Sequence, residues 1–178
     1  QGIMPVRGKI LNCLKADYGK IFASPIITDL MKVLGCGVEV SGRAVKDLKA
    51  IGVTVIVHQI LGLPGETPEM MLETAKVLGK LHPDGIKIQM LHVMQDTVLA
   101  EWYRAGRVPI LSMEDYIELV IQQLEYLPPE TVIERLTGDG IRARLIEPLW
   151  SLEKSQVLNT IAKRQKELDS YQGKRYQP

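Results

Sequence analysis

The chain has 178 residues and a formal net charge of +1, which suits one domain, or one and a half, and argues against a strongly basic nucleic-acid-binding surface. Aromatic residues make up 5% of the sequence, which disfavours a base-stacking platform. No apolar run reaches bilayer length and no signal peptide is recognised, so we expect a cytoplasmic protein with no membrane contact. The two cysteines, Cys13 and Cys36, are interpreted as reduced thiols.

The first forty residues differ in sequence pattern from the rest of the chain. A short basic turn leads into an apolar stretch, and Ser24 or Pro25 then begins an amphipathic helix that Gly35 ends. The sequence therefore predicts an N-terminal helical segment over residues 1–40. Its structural interpretation is a surface helix with a basic lead-in.

Residues 53–67, VTVIVHQILGLPGET, form the central stretch of the chain. The β-branched and aliphatic run at its start is typical of a buried parallel strand, because helices cover both faces of such a sheet. Gly62 and Gly65 then end the strand, and Thr67 with Pro68 opens a helix. Ligands of α/β folds bind at this carboxyl edge of the strands.

Further strands and helices alternate along the chain. Strands are predicted over residues 86–94 and 131–137, and helices over residues 43–50, 70–81, 97–107, 113–126 and 151–170. Residues 141–149 are ambiguous, and the basic tail at 173–175 is expected to be frayed. Repeated βα units imply a parallel sheet with right-handed crossovers, in an α/β fold that is either part of a barrel or an open sheet.

The motif MPVRGKILN, followed by IFASPIITDLMKVLGCGVEV, resembles part of the Toprim region of type IIA topoisomerases such as DNA gyrase B. This resemblance covers about residues 1–40 and implies that Arg7 and Lys9 lie near DNA. The acidic motifs that flank this segment in the family, E-G-D-S-A-G-G and D-x-D-x-D-G, are absent from the chain. Without these carboxylates no Mg²⁺ is held for strand cleavage, so topoisomerase activity is not expected.

A second resemblance covers about residues 42–176 and rests on the motifs GLPGET, YLPPE, RLTGDG, PLWS and QGKRY in this order. These resemble the C-terminal part of a radical S-adenosylmethionine (radical SAM) protein of the group related to the MiaB, NifB and Elongator catalytic-subunit enzymes. The resemblance implies the C-terminal half of a partial TIM-like (β/α)₆ barrel over residues 41–150. A C-terminal helix and basic tail follow over residues 151–178.

In that family the fifth barrel strand carries a G-x-I-x-G-x-x-E pattern beside the adenine of S-adenosylmethionine. Here Ile60 and Gly62 match the pattern, whereas His58 replaces its first glycine and Glu66 stands one residue late. Glycines let the backbone approach a ligand closely, and an isoleucine offers an apolar wall. The resemblance thus implies a cofactor site formed by Ile60, Gly62, Leu63, Gly65 and Glu66.

The family also implies a [4Fe–4S] cluster, held by a C-x-x-x-C-x-x-C motif that this chain lacks. We therefore expect an incomplete radical SAM protein, inactive alone, whose parent family carries out SAM-dependent radical modification, for example of RNA. The two resemblances together suggest a fragment or a chimera with a junction near residues 40–42. Expected partners are a second copy, the missing N-terminal half-barrel, and RNA or DNA. The alternative function is a DNA-associated, gyrase-B-like fragment without catalytic carboxylates.

Individual polar residues also have structural interpretations. His58 is either a pocket-lining group or, as we favour, a buried histidine that bonds a neighbour. Glu66 is either functional or simply stabilised by the dipole of the helix it precedes.

Overall fold

The computed structural model describes residues 38–138 and 140–177. In this part of the chain five α-helices alternate with short strands. The helices are α1 (Val38–Ala50), α2 (Pro68–Leu81), α3 (Val98–Arg104), α4 (Met113–Tyr126) and α5 (Lys154–Glu167). The strands are β1 (Ile56–Leu61), β2 (Gly85–Met90), β3 (Val93–Met94), β4 (Val132–Arg135) and β5 (Leu145–Glu147). Two 3₁₀ helices span Arg142–Arg144 and Leu149–Leu152.

The main sheet has three parallel strands in the order β1-β2-β4. Ile56 is the partner of Gly85 and Leu61 that of Met90, so β1 and β2 pair over their whole length. Strands β3 and β5 form a separate antiparallel pair. The predicted α/β fold with a parallel sheet is therefore confirmed for the described part of the chain.

The core lies on one face of this sheet, beneath α2, α4 and α5. Alternate strand residues point to this face, as the period of a strand requires. The core consists of residues from β1 and β2 together with apolar residues of the three helices: Val57, Leu61, Ile86, Ile88, Met90, Met71, Leu78, Ile117, Val120, Ile121, Leu124, Val157 and Ile161.

The helix starts predicted at Thr67 and Ser112 are confirmed, whereas α1 begins at Val38 instead of residue 43 and α5 at Lys154 instead of residue 151. The Thr67 side chain accepts a hydrogen bond from the amide of Met70, and the Ser112 side chain accepts one from the amide of Asp115. Both residues thereby satisfy amides that the first turn of a helix leaves without partners. The first residues predicted for the central strand, 53–55, lie outside β1, which begins at Ile56.

Two other expectations are wrong. The strand predicted over residues 86–94 is broken after Met90, because the chain turns at Leu91 and His92 before β3 begins. The tail is not frayed, because the amides of Gly173 and Arg175 donate to carbonyl oxygens at the end of α4.

Several predicted features lie outside the described residues. These are the helical segment before Val38, the basic residues Arg7 and Lys9, and both cysteines. Within the described residues, no helix combines the length and the apolar character needed to cross a bilayer. The predicted domain boundaries remain predictions.

Candidate functional site at the carboxyl edge of the sheet

The three parallel strands end at one edge of the sheet, where the chain leaves β1 at Gly62, β2 at Leu91 and β4 at Leu136. The Leu91 amide donates to the Leu61 carbonyl oxygen over 2.9 Å, which extends the pairing of β1 and β2 by one residue. The hydroxyl of buried Tyr116 on α4 donates to the Leu136 carbonyl oxygen over 3.1 Å. Helix α4 thus fixes the end of β4 relative to the rest of this edge.

The turn after β1 is held by its own side chains. Gly62 and Gly65 have φ angles of 81° and 80°, in the left-handed region that favours glycine. The Glu66 carboxylate accepts a hydrogen bond from the Leu63 amide over 3.2 Å, and the Glu66 amide donates to the Leu63 carbonyl oxygen over 2.9 Å. The segment 62–66 is therefore a closed loop directly in front of α2.

Burial raises the pKa of Glu66 from its ordinary value of 4.5 to about 7, although the hydrogen bonds from the Leu63 and Gly62 amides oppose this rise. Desolvation is the larger effect, because it removes water from the charged form. The turn therefore contains a carboxyl group that exchanges its proton near neutral pH, which is a common property of groups at functional sites.

A narrow crevice adjoins this turn on the helix-covered side of the sheet. It has a volume of about 10 Å³ and is lined by Leu61, Gly62, Met90, Leu91, Pro109, Ile110, Leu111 and Pro148. A Cβ atom at Gly62 would lie 3.1 Å from a methyl carbon of Leu111, so Leu111 already occupies the space beside this glycine. The Leu111 carbonyl oxygen accepts a hydrogen bond from the Trp150 indole over 3.1 Å.

His92 also lies at this edge, although it is not among the site residues predicted from the sequence. His92 follows β2, and its Nε2 lies 3.1 Å from the hydroxyl oxygen of buried Ser151, which donates to the Pro148 carbonyl oxygen over 2.7 Å. A Cβ atom at Gly138 would lie only 2.2 Å from His92 Cε1. Burial and the charge of Lys154 lower the pKa of His92, so the imidazole is neutral at pH 7.

No short motif predicts this contact, because 59 residues separate His92 from Ser151 in the sequence. The sequence signal for this contact was the pair of glycines in the RLTGDG motif, Gly138 and Gly140. Because they have no side chains, they leave space for the His92 ring.

The other face of the sheet carries both polar and apolar side chains and is uncovered in the described part of the chain. Ile56 is 44% exposed and Val132 is 56% exposed, whereas His58, Ile60 and Gln89 are half-buried. Burial lowers the pKa of His58, a hydrogen bond with Gln89 raises it, and the nearby charges of Lys87 and Arg135 lower it further. The bond to Gln89 agrees with the interpretation of His58 as a histidine that bonds a neighbour.

The structure brings some of the predicted site residues together and separates others. Gly62, Leu63 and Glu66 form one hydrogen-bonded turn. Leu63 is buried and Gly65 is exposed. Ile60 lies apart from the crevice, because its neighbours Gln59 and Leu61 point to the helix-covered face while Ile60 points to the uncovered one.

Among residues 38–138 and 140–177, no group of three or more histidine, cysteine or carboxylate side chains is placed to hold a metal ion. This part of the chain contains no cysteine, and the whole sequence contains two. A radical SAM cluster needs three thiolate ligands, so the residues present do not fit a [4Fe–4S] cluster.

Comparison with known proteins identifies relatives of this chain. Residues 83–167 match the family described as the Radical_SAM C-terminal domain. This part of the chain is thus related to radical SAM proteins. The protein YtqA of Bacillus subtilis strain 168 is 44% identical over 135 residues, which are 76% of this chain and 42% of YtqA.

A more distant relative is the tRNA uridine(34) acetyltransferase of Dehalococcoides mccartyi, 28% identical over 116 residues that cover 62% of this chain and 25% of that protein. Among solved structures, the archaeal Elp3 of Methanocaldococcus infernus with an N-terminal deletion superimposes with a TM-score of 0.70 at 22% identity. That superposition covers 82% of this chain and 34% of Elp3.

These matches support the predicted resemblance to the C-terminal region of radical SAM proteins, and the structural likeness extends it to the fold. They give no support to the gyrase-like segment, to a chimera or to the DNA-associated alternative. The chain spans less than half the length of each of these relatives.

Proposed function

We propose that this chain forms the C-terminal half of a radical SAM barrel, and that the turn after β1 is one wall of its S-adenosylmethionine site. The observation that carries the proposal is the parallel sheet with helices on one face, an uncovered second face, and a closed glycine turn at its carboxyl edge. In a (β/α) barrel the helices lie outside and ligands bind at the carboxyl ends of the strands.

The uncovered face is the interior of the proposed barrel. Sheets made only of parallel strands are normally covered on both sides, whereas Ile56 and Val132 are exposed here. The chain spans 42% of YtqA, which leaves more than half of such a protein to supply the remaining strands. This need for a second half is the reason to expect association with a missing N-terminal half-barrel or with another copy of the chain.

Within this site each predicted residue has a separate role. Ile60 supplies an apolar wall on the interior face, and Gly62 and Gly65 let the backbone come close to the cofactor. The Glu66 carboxylate holds the Leu63 amide in place and is able to accept or release a proton near pH 7. The crevice beside Gly62 lies on the helix-covered side and has a volume of about 10 Å³, far below the ~300 Å³ at the lower end of ligand sites, so the cofactor pocket has to form on the interior face together with the missing half.

With a reducing cluster beside it, S-adenosylmethionine supplies radical chemistry, and that cluster has to be held by residues outside the given sequence, which lacks the C-x-x-x-C-x-x-C motif. We accordingly propose that the chain alone is inactive. The name of the Dehalococcoides mccartyi relative points to tRNA, which supports an RNA substrate for the complete protein.

Binding of S-adenosylhomocysteine to the full chain tests the cofactor wall. With ¹³C-labelled isoleucine and leucine methyl groups, we expect saturable NMR shifts at Ile60 and Leu63. Gly65→Ala should weaken binding, because alanine is strained at a φ of 80° and would reshape the turn. Gly106→Ala is the matched control, since Gly106 has a φ of 71° and open space around it.

Saturable binding that the Gly106 variant retains and the Gly65 variant loses would support the proposal. Equal losses in both variants, or no saturable shift at either methyl group, would overturn it.

The missing half is tested separately by anaerobic reconstitution with iron and sulfide. We expect no stoichiometric cluster on the chain alone. With S-adenosylmethionine and the reductant dithionite present, we expect cluster binding and release of 5′-deoxyadenosine when the N-terminal part of YtqA is added. A four-iron cluster on the chain alone would contradict the proposal, and so would a mixture that binds the cluster but leaves S-adenosylmethionine intact.

A further inference from the structure

A second crevice lies where the C-terminal ends of α2 and α4 meet the folded-back tail. Both helices begin on the side of the carboxyl edge of the sheet, and this crevice lies at their other ends. It is therefore separate from the proposed cofactor wall. It has a volume of about 550 Å³ and is lined by Lys76, Lys80, Tyr126, Arg175, Tyr176 and Gln177. Three of these six residues are cationic and two are tyrosines.

The tail is fixed in place by specific contacts. The Gly173 amide donates to the Leu124 carbonyl oxygen over 3.1 Å, and the Arg175 amide donates to the Glu125 carbonyl oxygen over 2.8 Å. The Arg175 guanidinium pairs with the buried Glu125 carboxylate, with 2.7 Å between Nε and Oε2. The crevice is therefore a built feature of the fold, because backbone bonds and an ion pair determine its far wall.

The charges in the crevice leave one cation without a counter-ion. Lys76 pairs with Glu73 over 3.1 Å, and Arg175 pairs with Glu125. Lys80 is exposed, and its ammonium group makes no ion pair within the described residues. An anion in the crevice would meet Lys80 directly, with the ammonium of Lys76 and the guanidinium of Arg175 close by.

The two tyrosines bring aromatic surface to the same place. The Lys76 ammonium lies 5.4 Å from the centre of the Tyr126 ring, and the Arg175 guanidinium carbon lies 6.0 Å from it, so both cations stay at this ring. Tyr176 lies beside Gly79, where a Cβ atom would be 3.6 Å from its ring, and its half-buried ring faces the crevice. Its hydroxyl is held by His82.

We infer that this crevice binds a nucleotide, with the phosphate at Lys80, Lys76 and Arg175 and the base against the ring of Tyr176. Cationic grooves with an adjacent aromatic ring commonly bind single-stranded nucleic acids. Every base has a π-face that stacks on the ring, and every phosphate group carries a negative charge. The nucleotide is either free or part of an RNA strand, and the two sources share this chemistry. The inference does not depend on binding of S-adenosylmethionine.

The test measures fluorescence anisotropy of a labelled single-stranded RNA dodecamer with the full chain, at several salt concentrations. Lys80→Glu should weaken binding about tenfold and lower the slope of log K against log salt by about one, as loss of one phosphate contact requires. Lys166→Glu is the matched control, because it makes the same charge change at an exposed position on α5 outside the crevice. The control should change affinity less than about twofold.

A pair of variants at Tyr176 separates the ring from the charge. Tyr176→Phe keeps the ring and should retain binding, whereas Tyr176→Leu should weaken binding by about fivefold or more, because the base loses the ring on which it stacks. Competition with adenosine monophosphate distinguishes the sources. Full displacement at similar concentrations supports a free nucleotide, and weak displacement supports an RNA strand.

Three results would overturn the inference. One is displacement by inorganic phosphate as effective as that by the nucleotide. Another is an equal effect of the lysine variants at residues 80 and 166. The third is the absence of saturable binding to the dodecamer and to the nucleotide.

Discussion

The contact between α2 and α4 at Gly79 gives a sharp test of this structure. A Cβ atom at this position would lie 2.4 Å from the carbonyl oxygen of Tyr126, whereas real Cβ atoms essentially never come closer than 3.0 Å. In Gly79→Ala the backbone of α4 therefore has to retreat by roughly 0.6 Å or more. No flexible side chain is available to absorb this shift, because the blocking atom belongs to the backbone.

Two opposing effects determine the result. Alanine in a helix interior is favoured over glycine by about 1 kcal/mol. Overpacking in a close-packed core costs typically about 1–3 kcal/mol, and a backbone contact belongs at the upper end of that range. The free energy of unfolding of Gly79→Ala should thus fall by about 1–2 kcal/mol. With a typical urea m value of about 2 kcal/mol/M, the unfolding midpoint should drop by roughly 0.5–1 M.

The matched control is Gly42→Ala on α1. There the Cβ atom would lie 3.4 Å from the nearest carbon of Leu81, which is an ordinary contact. The same substitution should therefore raise stability by up to about 1 kcal/mol, through helix propensity alone. Urea unfolding followed by circular dichroism measures both variants. A Gly79→Ala protein as stable as the parent, with an unchanged m value, would refute the close approach of α2 and α4.

Two further predictions concern the carboxyl edge. Because the pKa of Glu66 is raised in the folded state from 4.5 to about 7, the folded protein binds more protons than the unfolded chain between these values, and its stability should fall as pH rises through that window. Urea unfolding of the parent and Glu66→Gln should show this fall in the parent alone, and parallel pH profiles would contradict it. Gly138→Ala should displace the His92 ring, which would lie 2.2 Å from the new Cβ atom, and break its contact with Ser151. The pKa of His92 should then rise toward its ordinary value in an NMR titration, whereas an unchanged pKa would show that the ring stays in place.

Local signals in the sequence predict much of the fold. The β-branched run before Gly62 predicts a buried strand, and Thr67 and Ser112 mark two helix starts, because these effects act within a few residues. The strand ends are less predictable, since Val53 and Thr54 have strand propensity but are not paired with another strand in the described part of the chain. Leu91 and His92 likewise continue an apolar pattern where the chain turns.

Contacts between distant parts of the chain could not be predicted in this way. Three such contacts join residues that are far apart in sequence. Leu111 occupies the space beside Gly62, His92 contacts Ser151, and the tail is bound to the end of α4. The hydrophobic periodicity of a sequence does not predict such contacts, because they depend on how complete helices and strands pack against one another. The sequence therefore indicates the turn at 62–66 and is silent about its surroundings.

The two faces of the sheet explain why the proposed cofactor wall is incomplete and the tail crevice is not. Residues that point toward α2, α4 and α5 pack within the described chain, and the tail crevice is built from two of those helices. Residues that point the other way, such as Ile56 and Ile60, are exposed or only half-buried. An isolated chain should therefore show its nucleotide affinity at the tail crevice in full. Its affinity for S-adenosylhomocysteine should rise once a partner covers the second face, because cofactor binding and barrel closure bury the same surface. A cofactor affinity that stays unchanged on addition of the N-terminal part of YtqA would show that the uncovered face is not the barrel interior.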